Sequence, residues 1–147
     1  MLLFQGVYSV DFLRSMGKNR MDRWTGLLLW TMNATEEVQP TLDYLDAHNE
    51  TAVLMPYWYG SVATEMTDGR IMPAIYDYYD ETFPLQYFRW GTYTEPWEAN
   101  HRPETLVAMI LKSNEALMRR EHPTAELLQT NGTWQLWRMP TDEIIWE

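Results

Sequence analysis

The alternation of apolar and polar positions divides the chain into elements before any other property is considered. From about Val7 to Leu29, Val10, Leu13, Gly17, Met21 and Trp24 recur at three- and four-residue steps, the spacing of one helix face. Gly17-Lys18-Asn19 interrupts it, which predicts a helix, a tight break and a second short helix. Thr35-Glu36-Glu37-Val38 has the form of a helix N-terminus, with a capping hydroxyl and acidic first-turn residues. Pro40, Leu42, Tyr44 and Leu45 carry that helix to about His48. Thr51 to Tyr59 is apolar, β-branched and aromatic and predicts a buried strand, with Pro56 marking an edge or a bulge. Thr67-Asp68-Gly69-Arg70 predicts a turn, and Ile71, Ile75, Tyr78 or Tyr79, and Phe83 predict a helix stopped by Pro84.

Leu85 to Tyr93 alternates and suggests a strand. Residues 103–112 fit two templates. Pro103, Glu104 and the apolar set Leu106, Val107, Ile110 and Leu111 favour a helix; Thr105, Val107, Met109 and Leu111 alternate as a strand would. Local pattern alone favours the helix. At the end, Leu127 to Met139, a turn at Pro140-Thr141-Asp142, and Glu143 to Trp146 predict two strands joined as a hairpin.

Composition narrows the function classes. The chain has 147 residues and no cysteine, so disulfides, thiolate catalysis and sulfur-ligated zinc are excluded. The formal net charge of -10 disfavours nucleic acid and anionic membranes as partners. No stretch reaches the roughly 18 consecutive apolar residues of a membrane span, and the first residues lack the flanks of a secretory signal. A cytoplasmic address is the resulting expectation. Eight Trp and nine Tyr beside four Phe suggest a pocket or an interface, because both side chains carry a polar tip on an apolar body. Dense core packing accounts for the same count. Sequons stand at Asn33-Ala34-Thr35, Asn49-Glu50-Thr51 and Asn131-Gly132-Thr133.

Four short stretches resemble the nuclear-transport-factor-2-like superfamily, and within it the SnoaL-like and phenazine-biosynthesis A/B-type proteins. They are Val10 to Arg23, with a glycine break followed by arginines; Glu50-Thr51-Ala52-Val53 leading to Pro56-Tyr57-Trp58; Gly69-Arg70 followed by Phe83-Pro84; and Asn131 leading by aromatic alternation to Asp142-Glu143-Ile144. The resemblance implies one α+β domain in which a curved antiparallel sheet packs on N-terminal helices as a cone, with residues 26–47 as an insertion. It also implies that residues 104–118 form a strand, against the local pattern.

Members of that family perform acid/base chemistry on small hydrophobic metabolites without a cofactor, as isomerases, cyclases or dehydratases, and many are homodimers. The resemblance carries one family arginine to Arg23. The family histidine falls at or next to Tyr76, and the family glutamate on Thr130, which cannot replace a carboxylate base. Asp22 and Glu50 are the remaining candidate pocket carboxylates, giving Arg23, Tyr76, Asp22 and Glu50 as candidate catalytic residues. Tyr57, Trp58, Tyr59, Tyr79, Asn131 and Trp134 are candidate substrate-binding walls.

Asp77, Asp80 and Glu81 share a helical face at metal-ligand spacing, but a solvated acidic face explains them as well, and no metal is expected. His48, His101 and His122 are far apart and read as surface or loop residues. The alternative to an enzyme is a non-catalytic ligand-binding or dimerisation module of the same fold. Separately, Thr51 to Arg70 resembles a stretch of the extracytoplasmic domains of membrane glycosyltransferases, a setting in which the sequons acquire a use.

Overall fold

The computed structural model describes residues 23–76, 83–87 and 95–146, with side chains from residue 34 onward. The chain divides into two compact units between Glu36 and Glu37, and only the second contains the sheet. Helix α1 covers Arg23–Ala47. It runs through Thr35, so the Thr35-Glu36-Glu37-Val38 motif sits inside a helix and does not begin one. Pro40 also lies inside α1 and has no N–H to offer the Glu36 carbonyl. Beyond Glu37, Val38, Thr41, Leu42 and Leu45 form a buried stripe at helical spacing. The stretch expected to be an insertion therefore supplies part of the core.

The next elements are β1 (Val53–Pro56), α2 (Tyr57–Met66) and β2 (Ala74–Tyr76). The strand expected over Thr51–Tyr59 ends at Pro56, and Tyr57, Trp58 and Tyr59 open a helix instead. Pro56 lacks the N–H that would continue a ladder, and its φ of -59° leads into the helix. The helix expected from Ile71 is likewise replaced, up to Tyr76, by an extended approach and a strand, with Pro73 withholding a donor just before it. Residues 77–82, which carry the rest of that expected helix and the Asp77, Asp80 and Glu81 trio, lie outside the described residues, as does most of the first expected helix.

The turn expected at Thr67–Arg70 is present. Asp68 takes a φ of 50° while Gly69 N–H bonds to the Thr64 carbonyl at 2.9 Å and Asp68 N–H to that of Glu65 at 3.3 Å. This is the Schellman arrangement that ends a helix by satisfying its last carbonyls.

Strand β3 (Thr105–Leu111) occupies the ambiguous segment, so the helix favoured by local pattern is not formed. Its partners decide the matter, since β3 pairs with β1 on one side and with β5 (Trp134–Pro140) on the other. Helix α3 (Glu115–Glu121) and β4 (Glu126–Asn131) lie between β3 and β5 in sequence. The hairpin turns at Gly132-Thr133, with Gly132 at a φ of 58°, and not at Pro140–Asp142, which is a short 3-10 turn over Thr141–Glu143. In the region expected as a strand over Leu85–Tyr93, Gln86 and Tyr87 make isolated bridges to Ile145 and Tyr76, and residues 88–94 are not described.

The fold class is α+β. Its sheet has the order β2-β1-β3-β5-β4 and is mixed where a wholly antiparallel sheet was expected. β1 runs parallel to both β2 and β3, whereas β3, β5 and β4 are antiparallel. A helical crossover returns the chain in the same direction, and α2 is such a crossover between β1 and β2.

Both faces of the sheet are covered. Val53, Met55, Val107, Met109, Trp134 and Leu136 pack with Val38, Leu42 and Leu45 of α1 and Ala63 of α2. Their neighbours Leu54, Leu106, Ala108, Ile110, Trp137 and Met139 face Met118 of α3, Leu85, Tyr87, Trp97 and Ile144. Alternation along each strand thus feeds two cores, the expected result when a sheet is buried on both sides.

Gly60 sets how closely α2 approaches β2: a β-carbon there would overlap Cδ1 of Ile75, with Pro73 Cβ next at 3.6 Å. Gly60→Ala should therefore destabilise the protein by about 1 kcal/mol, because overpacking outweighs the helix-propensity gain. In an Ile75→Val background, which removes Cδ1, the same change should be neutral or stabilising by up to about 1 kcal/mol. A urea-unfolding double-mutant cycle measures this, and additive effects would show that the contact does not limit the approach.

Candidate functional site

The polar groups that could do chemistry fall into four clusters. In the first, Glu37 of α1 is half-buried beside α2 and β5. Its Oε2 accepts from the Tyr59 hydroxyl at 2.6 Å and from Trp134 Nε1–H at 2.8 Å. The Tyr59 and Trp134 rings meet edge-on with centroids 4.8 Å apart. Two expected binding-wall residues are thus brought together, by a carboxylate that sequence reading assigned to a helix cap. Its position just before the Val38, Leu42, Leu45 stripe was the available signal, since a carboxylate bordering a buried stripe needs donors.

Glu50 forms the second cluster with Arg138 of β5, in a close ion pair whose two side chains are both partly shielded. It stands where the chain leaves α1 for β1. Glu50 N–H bonds to the Leu45 carbonyl at 2.8 Å, and Asn49 takes a φ of 53°. The carboxylate considered as a base is therefore held by a guanidinium.

The third cluster surrounds His122, which sequence reading placed at the surface and which is in fact 1% exposed. Leu85 N–H donates to its Nε2 at 3.2 Å. A backbone N–H can only donate, so Nε2 is the unprotonated nitrogen, and Nδ1–H points at Glu143 Oε2, 3.1 Å away. Glu143 Oε1 accepts from the Thr124 hydroxyl. A histidine–carboxylate pair resembles half of a catalytic relay, but a relay needs its far nitrogen facing substrate. Here that nitrogen faces the backbone. His122 joins the loop before Leu85 to α3 and to the C-terminal turn.

In the fourth cluster, Glu115 of α3 accepts from Arg119 at 2.9 Å and from the Gln135 amide at 2.8 Å. Gln135 is buried in β5, and its oxygen accepts from Trp137 Nε1–H at 3.2 Å. The Arg119 guanidinium closes the circuit over the Trp137 ring, 5.0 Å from its centroid. These contacts dock α3 on the sheet.

The remaining expected site residues are dispersed. Tyr76 is buried, and its hydroxyl donates to the Met109 carbonyl at 2.8 Å, across the intervening β1. Tyr57 and Trp58 are half-buried in the first turn of α2, with rings edge-on at 4.7 Å. Asn131 lies beside the hairpin turn; its Oδ1 accepts from Gln129 Nε2 at 2.6 Å while its Nδ2 is covered and unpartnered. Arg23 lies on α1, with its side chain outside the described residues, as are Asp22 and Tyr79. Among the described residues no group of His, Asp and Glu is placed to hold a metal ion, and no helix is long and apolar enough to cross a membrane. Comparison of the chain with protein-family models, with curated proteins and with solved structures finds no match.

Two outcomes follow from the clusters. Hydrogen bonds from Gln135 first, then from Arg119, hold the Glu115 carboxyl below its ordinary pKa of 4.5. A depressed folded-state pKa contributes stability that is fully present above the unfolded value and is lost as pH falls through the folded one. The melting temperature should therefore drop below about pH 4.5, and Glu115→Gln should lie below wild type at pH 7 with a gap that narrows in acid. A gap independent of pH would show that Glu115 ionisation does not support the fold. His122→Ala should cost about 2–4 kcal/mol by denaturant titration, since it strands a buried Leu85 N–H and opens a cavity. Unchanged stability would show that His122 does not hold these elements together.

Proposed function

We propose that this domain is a non-catalytic binding and assembly module, and that it works outside the membrane as part of a membrane protein of the glycosyltransferase type. The observation that carries the first half is the state of four acids and bases among the described residues. Glu37, Glu50, Glu143 and His122 are each engaged by donors or acceptors that tie one element to another. Proton transfer needs a group within reach of a substrate proton, and these groups are spent on the fold. The second half rests on the likeness of Thr51–Arg70 to extracytoplasmic domains of such enzymes. That stretch coincides with one structural unit, β1, α2 and the Schellman turn that closes it.

A SnoaL-like, cofactor-free enzyme taking a small hydrophobic metabolite into a cone is the second reading. The strand at Thr105–Leu111 and the antiparallel order β3-β5-β4 favour it, since the family fold requires both. It asks in addition for an antiparallel sheet with one open concave face. The parallel pairs on either side of β1 and the two covered faces weigh on the side of the module.

Paired reporters fused after Glu147 in the native gene and host separate the two. An extracytoplasmic domain should give an active periplasmic-type phosphatase and a dark cytoplasmic fluorophore. The reverse pattern would overturn the address and leave the SnoaL-like reading as the one to pursue.

A further inference from the structure

The fold treats two of the three sequons, those at Asn49 and Asn131, differently. We propose that Asn49 is an acceptor for N-linked glycan, and that Asn131, despite an equally good motif, is closed by the fold. The proposal rests on the extracytoplasmic reading for its biological setting but not for its test.

Asn49 follows the last turn of α1 at a φ of 53°, in the left-handed region that Asn tolerates better than most residues. Asn49 N–H bonds to the Asp46 carbonyl at 3.2 Å and Glu50 N–H to that of Leu45 at 2.8 Å. These are the two bonds of a Schellman motif, with Asn49 at its left-handed position. The backbone is thus fixed by the cap, and the side chain is not needed for it. The tripeptide alternates. Glu50 is turned inward and held by Arg138, whereas Asn49 and Thr51 on either side of it are exposed. Neither exposed side chain has a hydrogen-bond partner among the described residues. An acceptor amide and the hydroxyl two residues later, both facing water from a fixed surface turn, are what the motif requires.

Asn131 is the internal contrast. Its motif spans the β4–β5 hairpin, but Nδ2, the atom that would be glycosylated, is covered by the protein. Its Oδ1 is drawn onto Gln129. Asn33 lies within α1, with its side chain outside the described residues.

The co-reactant is a polyprenyl-diphosphate-linked oligosaccharide. Nδ2 of Asn49 attacks the sugar C1, the C1–O bond to the diphosphate breaks, and an N–C1 bond forms. One amide proton is lost to base, and the polyprenyl diphosphate leaves. No oxidant or reductant enters.

The test supplies the address, so that a failure speaks to the site and not to localisation. The chain is secreted from eukaryotic cells behind a cleavable signal, and the folded product is mapped by glycosidase treatment in heavy-oxygen water with peptide mass spectrometry. Asn49 should be occupied and Asn131 empty. Thr51→Ala should abolish the Asn49 glycan while leaving the cap untouched. Asn49→Gly should also abolish it while matching wild-type melting, because Gly suits the same φ. An unmodified Asn49 in well-folded secreted protein would overturn the proposal, and so would Asn131 occupied in a product with wild-type stability.

Discussion

Everything in the sheet-bearing unit depends on β3 being buried along both faces. From Leu106 to Ile110 no side chain reaches solvent, and the strand has a partner on each edge. A strand in that position must have apolar residues at consecutive positions, not only at alternate ones. Its neighbours inherit the condition. Val53–Pro56 is buried throughout, and so is Trp134–Trp137, where the only polar side chain, Gln135, is satisfied on one side by Glu115 and on the other by Trp137.

That condition accounts for the placement of the polar groups. With both sheet faces taken by helices and loops, carboxylates and imidazole end up at the seams between layers. There each one must find donors, because an unsatisfied buried polar atom costs more than a made hydrogen bond returns. Glu37 bridges α1, α2 and β5; Glu50 and Arg138 bridge the end of α1 and β5; His122 bridges the Leu85 loop, α3 and the C-terminal turn. A common geometry runs through them: residues distant in sequence joined through one shared polar atom or pair.

The tryptophans and tyrosines fit the same account. Tyr76, Tyr87, Trp97, Trp134 and Trp137 are buried, and the tips of Tyr76, Trp97, Trp134 and Trp137 are satisfied by Met109, Met72, Glu37 and Gln135. Near the C-terminus, Trp146 stacks on Trp97 at 6.0 Å and lies under the Arg102 guanidinium at 4.2 Å, tying the last residues to the loop before β3. Among the described residues these aromatic side chains serve packing with directed hydrogen bonds.

The sequence by itself determined the buried stripe of the second half of α1, the turn at Thr67–Arg70 and the strand character of the two arms within Leu127–Met139, though not that expected of Glu143–Trp146, which holds the end of a 3-10 turn and one isolated bridge. These are local: helical spacing, β-branched and aromatic runs, and a left-handed turn residue each act within a few positions. Tertiary structure decided three things that local spacing could not. It made 105–111 a strand, because two neighbouring strands supply ladder bonds that outweigh an equally good helical pattern. It turned Tyr57–Tyr59 into a helix, because Pro56 ends the ladder and β2 must be reached in parallel. And it gave Glu37 its donors Tyr59 and Trp134, Glu50 its partner Arg138, and His122 its partner Glu143, since a hydrogen bond between residues 21, 22, 88 or 97 positions apart leaves no trace in spacing along the chain.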